Sequence, residues 1–312
     1  MKPSWHPVIT EGKSLKFEPD VTLASRLDLS RAYTIDLTRS LRRLAFKNVR
    51  RTNAVVDSEY NSGEWDRVLN QRAWLGAPTL EEFLIGQNSA SRLAKVDGRI
   101  VWVTTRDYYQ YRIRALSELI KLHAGSSTSL LELGAGYGYN LFSLSLDPHW
   151  NRLRGFDIAP NGIAAGRQIA SHFQLGDRIS FDRIDLTDAR DPSFSELAGG
   201  TVFTYFCIEQ IPYAVEAVIE NIIRARPARV VNIEPGVDML KLSQPRDFTS
   251  RIYIRSMDYQ TRLFKLLDSL DVQRRIRVLA RERMGFAPTL HNDGAFVCVG
   301  ASLIKEAGGQ RV

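Results

Sequence analysis

Three glycines at alternate positions, Gly134, Gly136 and Gly138, follow an apolar run that holds a single acid, Glu132. A buried strand that breaks into such a turn and then opens a helix lets a ligand lie directly against backbone. The helix, expected from Asn140 to about Leu146, aims free N–H groups and a positive dipole end at that ligand. A second strand-like run, Leu153 to Phe156, ends in Asp157, which lies 157 − 138 = 19 residues past the last glycine. An interval of roughly 20 residues places a carboxylate against the two vicinal hydroxyls of a ribose. Asp157 is equally placed to cap a helix that begins near Ala159.

The spacing argues against a dinucleotide. Dinucleotide turns read G-x-G-x-x-G and leave room for a pyrophosphate at the helix N-terminus. Here the glycines are closer, and Glu132 would repel a pyrophosphate while attracting an ammonium group. A ligand with a ribose, an adenine and an amino-acid tail, but no phosphate, satisfies these marks. S-adenosylmethionine is such a ligand, with S-adenosylhomocysteine as the product it leaves.

On these residues the chain resembles the class I S-adenosylmethionine-dependent methyltransferases, from about Tyr108 to Lys305. The resemblance implies that the turn from Glu132 to Gly138, Ala135 included, cradles the methionine half. It also implies that Asp157, followed by Ile158, binds the ribose and that Asp185, followed by Leu186, reads the adenine amino group. Asp185 is otherwise ordinary loop chemistry. The fourth strand of such a fold would be Thr201 to Cys207, followed by Glu209-Gln210 where many relatives carry Glu-His. The fifth, Arg229 to Ile233, ends in Glu234-Pro-Gly236. Relatives often lay a helix over the cofactor, so Tyr108 and Arg112 are candidate cofactor contacts, with core packing the rival for the tyrosine.

Acceptor chemistry is expected where loops leave the carboxyl ends of the strands. Those loops bring Glu209, Gln210, Tyr213, Glu234, His291 and Asn292. Methyl transfer needs the acceptor held in line with the departing sulfur, and a base when the acceptor is a hydroxyl or protonated amine. His291 is the first candidate for that base. Glu209 and Glu234 form a second, paired possibility that would suit a cationic amine or guanidine. The alternative is that Glu209 caps a helix and Glu234 pairs with an arginine.

These residues need an α/β frame, and strands alternate with helices after Leu130. The expected fold is a Rossmann-like, seven-stranded, mostly parallel sheet, its last strand antiparallel by the same resemblance. Helices are expected at Asn161 to Phe173, Ala214 to Ala225 and within Phe248 to Leu270. Val272 to Met284 and Ala295 to Ile304 read as strands joined through a turn at His291-Asn-Asp-Gly294. Before the sheet, Asp107 to Leu122 reads as a helix capped by Asp107. From Met1 to about Gly98 no strand alternation appears, only helical patterns at Ser30 to Lys47, Glu64 to Leu75 and Thr79 to Ile85, then a Val-rich piece at Ile100 to Thr104. Residues 1–105 are expected to form a mainly helical accessory cap, and residues 106–312 the cofactor-binding domain.

The chain has 312 residues, 44% hydrophobic and 25% charged, values of a globular protein. No run reaches the roughly 20 apolar residues that span a bilayer, and Met1 to Pro7 lacks a signal-peptide core. The cytoplasm is the default, with Cys207 and Cys298 reduced and buried. Net charge is +7, which permits an anionic partner without requiring one. Arg39, Arg42, Arg43, Lys47, Arg50 and Arg51 recur at helical spacing opposite Leu37, Leu41 and Leu44, as on a solvated helix face. The expectation is an enzyme that methylates oxygen or nitrogen of a small-molecule metabolite, without nucleic acid, membrane or metal as partner, and compatible with a homodimer. The alternatives are an RNA or protein methyltransferase and a non-catalytic cofactor-binding module.

Overall fold

In the computed structural model, residues 19–46 and 50–302 are described, except for the side chains of Asn292, Asp293 and Ser302. The readings at Met1 to Pro7, at Lys47 and at the strand end Ile304 lie outside the described residues.

A short strand, β1 (Thr22–Leu23), precedes the 21-residue helix α1 (Arg26–Phe46). Helix α2 (Asn53–Glu59) runs through a π-helical turn, Tyr60–Trp65, into α3 (Asp66–Gln71). Gly63 makes that wide turn possible, since a Cβ there would stand 2.8 Å from the carbonyl oxygen of Ser58. The helix expected from Glu64 to Leu75 therefore starts inside the π turn and is broken once. Arg72 turns left-handed (φ 48°) and ends α3 before a 3-10 turn, Ala73–Gly76. Helix α4 (Leu80–Ile85) begins where expected, with the Thr79 hydroxyl accepting from the Glu82 N–H.

Two strands follow that the sequence reading did not anticipate. β2 (Ser91–Val96) and β3 (Arg99–Thr104) pair as a hairpin, and β1 joins β3 on the other side. The hairpin turns on Asp97-Gly98, both at positive φ (46° and 76°), the demand of a tight primed turn. The other Asp-Gly, at 293–294, was expected to join two strands directly. It instead closes a 3-10 turn, His291–Gly294, in a longer connection. Helix α5 (Thr105–Ala124) is capped by Thr104 rather than Asp107: Thr104 Oγ1 accepts from the Asp107 N–H (3.0 Å) and donates to its carboxylate (2.8 Å).

The larger sheet contains β4 (Ser129–Leu133), β5 (Arg152–Asp157), β6 (Ile179–Arg183), β7 (Thr201–Tyr205), β8 (Arg229–Pro235), β9 (Ile276–Arg283) and β10 (Ala295–Ser302). Its order is β6-β5-β4-β7-β8-β10-β9, with β10 antiparallel to both neighbours. The strands from β4 to β8 run parallel to one another. This is the sheet the resemblance implied. Connections between them carry α6 (Tyr139–Ser145), α7 (Pro160–His172), α8 (Val215–Ala225), α9 (Pro245–Ser256) and α10 (Leu263–Val272). The region from Phe248 to Leu270, read as helical, holds two helices, separated where Asp258 turns left-handed (φ 54°). Helix α10 also runs through Val272, so β9 starts at Ile276.

Central strand residues such as Leu130, Leu133, Phe203, Val231 and Ile233 are fully buried, as befits a sheet covered on both faces. Strand order reverses between β4 and β7, and the crevice outside their carboxyl ends is where an open α/β sheet receives a ligand. The N-terminal part reaches the sheet through α1, which packs on α9, and through a backbone bridge between Lys95 and Ala287. Helix α1 inserts Ser40 and turns Leu41 and Leu44 outward, each 47% exposed. The expected opposition of basic and leucine faces is thus absent, and Arg43 and Arg51 turn inward, Arg43 to the Met257 sulfur and Arg51 to Glu59. No described helix is long and apolar enough to cross a membrane.

Candidate active site

The glycine turn is stitched to the end of β5. The N–H groups of Gly134 and Ala135 both donate to the Phe156 carbonyl (2.8 and 3.0 Å), and Gly138 N–H closes the turn on Ala135 (2.8 Å). Gly134 sits at φ +74°, and a Cβ there would lie 2.2 Å from Cys207 Sγ. Only glycine lets the segment leaving β7 come so near the turn. Cys207 is therefore not inside a strand, as expected, but just past β7 and on the cavity wall.

Of its two readings, Asp157 takes the capping one. One carboxylate oxygen accepts from Gly136 N–H (2.7 Å) and the other from Ala159 N–H at the start of α7 (2.8 Å). It also borders a cavity of about 550 Å³ above the turn, a size suited to an organic ligand. Asp185 behaves likewise: it accepts from the N–H and hydroxyl of Thr187 (2.9 and 2.7 Å) and still faces the cavity.

Gly134, Ala135, Asp157, Ile158 and Ala159 make the floor of this cavity, and Ile184 to Thr187 one side. Tyr205 to Cys207 and Glu209 to Ile211 make the other side. The roof is N-terminal: Asn53, Val56 and Asp57 of α2, then Tyr60, Asn61 and Trp65 of the π turn. Asn61 is fastened to the first turn of α7, accepting from Asn161 N–H and Nδ2 (3.0 Å each).

Arg112 closes one end. Its guanidinium lies 4.9 Å from the ring centroids of Tyr139 and of Tyr205, and Nη2 donates to Asn140 Oδ1 (2.7 Å). Nη1 is buried without a hydrogen-bond partner. A planar guanidinium fixed in this way has the geometry that pairs with carboxylates.

Glu132 does not reach the cavity. Its Oε1 accepts from Asn140 Nδ2 (2.6 Å), so Glu132 orients Asn140, which in turn holds Arg112. The expected direct attraction of an ammonium group is replaced by this buried relay of contacts. Burial pushes the Glu132 carboxyl up to about 8, against the opposing pull of Asn140 and Arg112. An acid raised above its unfolded value stabilises the fold below pH 4–5, and that contribution is lost as pH rises toward 8. Glu132→Gln should therefore flatten the decline of urea-unfolding stability between pH 5 and 8, by about 1 kcal/mol per pH unit at most. Equal slopes in the two proteins would contradict a neutral Glu132.

Other expected site residues lie elsewhere. Tyr108 is wholly buried in the core beside Tyr109, off the cavity wall. Gly136 is covered by Trp65, and Gly138 abuts Phe181, so both shape the turn without lining the cavity. Glu234 is structural: its carboxylate accepts the N–H groups of Cys207 (3.0 Å), Ile208 (3.1 Å) and Glu209 (3.2 Å). It is the strut for the loop that carries Glu209, not a second wall acid. Tyr213 is 54% exposed and donates to Asp258. His291 stacks on Tyr253 (4.2 Å between centroids) and borders a separate small cavity, while the Asn292 side chain lies outside the described residues. The contributions of Tyr137, Tyr139, Asn140, Tyr205 and residues 53–65 were missed. Tyr137 lies inside the glycine motif and Tyr139 and Asn140 directly after it, where their types were the available signal. Among the described residues no cluster of three or more His, Cys, Asp or Glu side chains is placed to hold a metal.

No protein-family model matches the chain, and no curated protein matches it. Solved structures resemble it in fold. The structure of the pyocyanin biosynthetic protein PhzM aligns with a TM-score of 0.47 at 18% identity, over 63% of this chain and 56% of that one. An O-methyltransferase of neocarzinostatin biosynthesis, NcsB1, in complex with S-adenosylmethionine and 2-hydroxy-5-methyl naphthoic acid, aligns with a TM-score of 0.42 at 14% identity, over 62% and 57%. The [4+2]-cyclase SpnF aligns with a TM-score of 0.48 at 16% identity, over 72% and 97%. The matched region spans little more than half the length of the first two. The likeness is one of fold.

Proposed function

We propose that the protein is an S-adenosylmethionine-dependent methyltransferase acting on oxygen or nitrogen of a small-molecule acceptor. The observation that carries this reading is Arg112, which lines the cavity above the glycine turn and has a buried Nη1 without a hydrogen-bond partner. It offers a carboxylate site at one end, while Asp157 offers an acceptor for ribose hydroxyls nearby. Asp185 and Leu186 supply an acid and an apolar contact for the adenine. The turn itself fits: a Cβ at Gly134 would fill the space that brings it against Cys207.

When bound, this cofactor supplies a methyl carbon activated by a positively charged sulfur. The chain's part is to hold the acceptor in line, exclude water and manage a proton. Tyr60, Trp65, Phe206, Gln210 and Ile211 give the remaining wall a mixed aromatic and hydrogen-bonding character, which suits an organic metabolite. The cap formed by residues before 106 would cover it, and a cytoplasmic enzyme, alone or as a homodimer, is compatible with this reading.

The test is calorimetric titration of S-adenosylmethionine and S-adenosylhomocysteine into the full chain, then incubation with labelled methyl donor and a panel of hydroxyl and amine metabolites. Binding of both, with label appearing in a small acceptor, is the expected result. Uptake of a nicotinamide or flavin nucleotide instead would sink the reading. In the same titration Asp157→Ala should weaken S-adenosylhomocysteine by about tenfold or more, the value of losing a charged hydrogen-bond acceptor. Unchanged affinity would remove Asp157 from the ribose site.

A further inference from the structure

Behind the main cavity lies a second, of about 30 Å³, bordered by Glu209, Phe206, Tyr253, Tyr259 and His291 among others. Among the described residues Glu209 is the one acid that lines both. A void of this size, with polar groups on its wall, has room for a single water. His291 sits at its far side, with 26% of its side chain exposed; its Nδ1 lies 3.9 Å from Asp36 and its Nε2 2.9 Å from the Thr289 hydroxyl.

We propose that Glu209 receives the acceptor's proton during methyl transfer, and that the small cavity passes this proton to His291 and so to solvent. The proposal rests on the methyltransferase reading above. The acceptor's oxygen or nitrogen forms a bond to the methyl carbon as the carbon–sulfur bond breaks, its electron pair staying on sulfur. The acceptor's proton moves to the Glu209 carboxylate, then through one water to a ring nitrogen of His291, which releases it.

Three observations support this division of labour. His291 does not line the main cavity. Glu209 is 5% exposed, and its carboxyl is pushed well above the usual range, first by burial and then by Glu234 behind it. Arg51 pulls it down, Gln210 donates to its Oε1 (2.7 Å), and Glu59, Tyr60, Tyr253 and Tyr259 also face it. An acid so placed needs an exit for any proton it takes up. A permanent cation entering the cavity it lines favours the carboxylate.

This difference separates the two ligands, because S-adenosylmethionine carries a positive sulfur and S-adenosylhomocysteine does not. Titrations of the full chain near pH 7, in two buffers of different ionisation enthalpy, count protons released on binding. The charged ligand should release more protons than the neutral one. In Glu209→Gln that difference should vanish while both ligands still bind within a few-fold of their original affinity. His291→Phe, which keeps a ring against Tyr253, should leave the count unchanged but slow proton appearance in a stopped-flow indicator assay by roughly tenfold. An equal count in Glu209→Gln overturns Glu209 as the proton acceptor, and an unchanged rate in His291→Phe overturns the route. If neither ligand binds, it is the methyltransferase reading that fails.

Discussion

Replacing Arg112 by methionine is expected to weaken S-adenosylmethionine binding by about two orders of magnitude, the equivalent of roughly 2–3 kcal/mol for a charge-assisted, desolvated contact. The side chain lines the cavity and is held there by Asn140 and by two flanking tyrosine rings. Part of the loss could come from those packing contacts, which methionine keeps only in part. Decarboxylated S-adenosylmethionine separates the two. If Arg112 grips the carboxylate, the wild-type chain should bind the decarboxylated compound far more weakly than the parent, and Arg112→Met should bind both alike. A preference for the parent that survives in Arg112→Met would place the carboxylate elsewhere. Arg112→Lys should recover little, because a lysine keeps the charge but not the planar fork.

The second large effect concerns Glu234. Its carboxylate gathers three successive backbone N–H groups of the segment after β7. Glu234→Ala strands all three donors in a buried site, at about 1–3 kcal/mol for an unsatisfied group. Even with partial relaxation and some water entry, a loss of about 3–5 kcal/mol in urea unfolding is expected. The cavity loop should loosen with it, so cofactor affinity should fall as well. Glu234→Gln keeps one acceptor oxygen and should be milder on both counts. A Glu234→Ala protein as stable as its parent would show that the loop has another anchor.

What the sequence made legible, and what it hid, follows from the range of the interactions. The glycine turn, the acid at the end of β5 and the order of strands are written in short local patterns, and the structure has them. Asp157 and Asp185 looked like either loop caps or ligand residues because a carboxylate has lone pairs enough for both. Glu132 was misjudged because nothing in the motif says that Asn140, eight residues later, will intercept it. Glu234 and Glu209 were read as a pair on one wall since their strands are neighbours, yet the register directs Glu234 into the backbone of its neighbour's exit loop. The roof was foreseen only as a set of helices. Which residues of 53–65 face inward depends on a π turn allowed by Gly63, and helical periodicity cannot foresee that. The β2–β3 hairpin escaped notice because its strands are short and Lys95 interrupts their apolar pattern.

The placement of β10 has a consequence for how the molecule is made. The strand latest in the sequence among those described is not at a margin but lies between β8 and β9. Until residues 295–302 have left the ribosome, two strands already synthesised each expose an unpaired edge, the kind of template on which chains adhere to one another. A nascent chain halted near residue 290 would then carry a nearly finished cavity floor on a sheet that has not closed. Such a chain is a natural client for holding chaperones, and its vulnerable interval ends with a single late insertion.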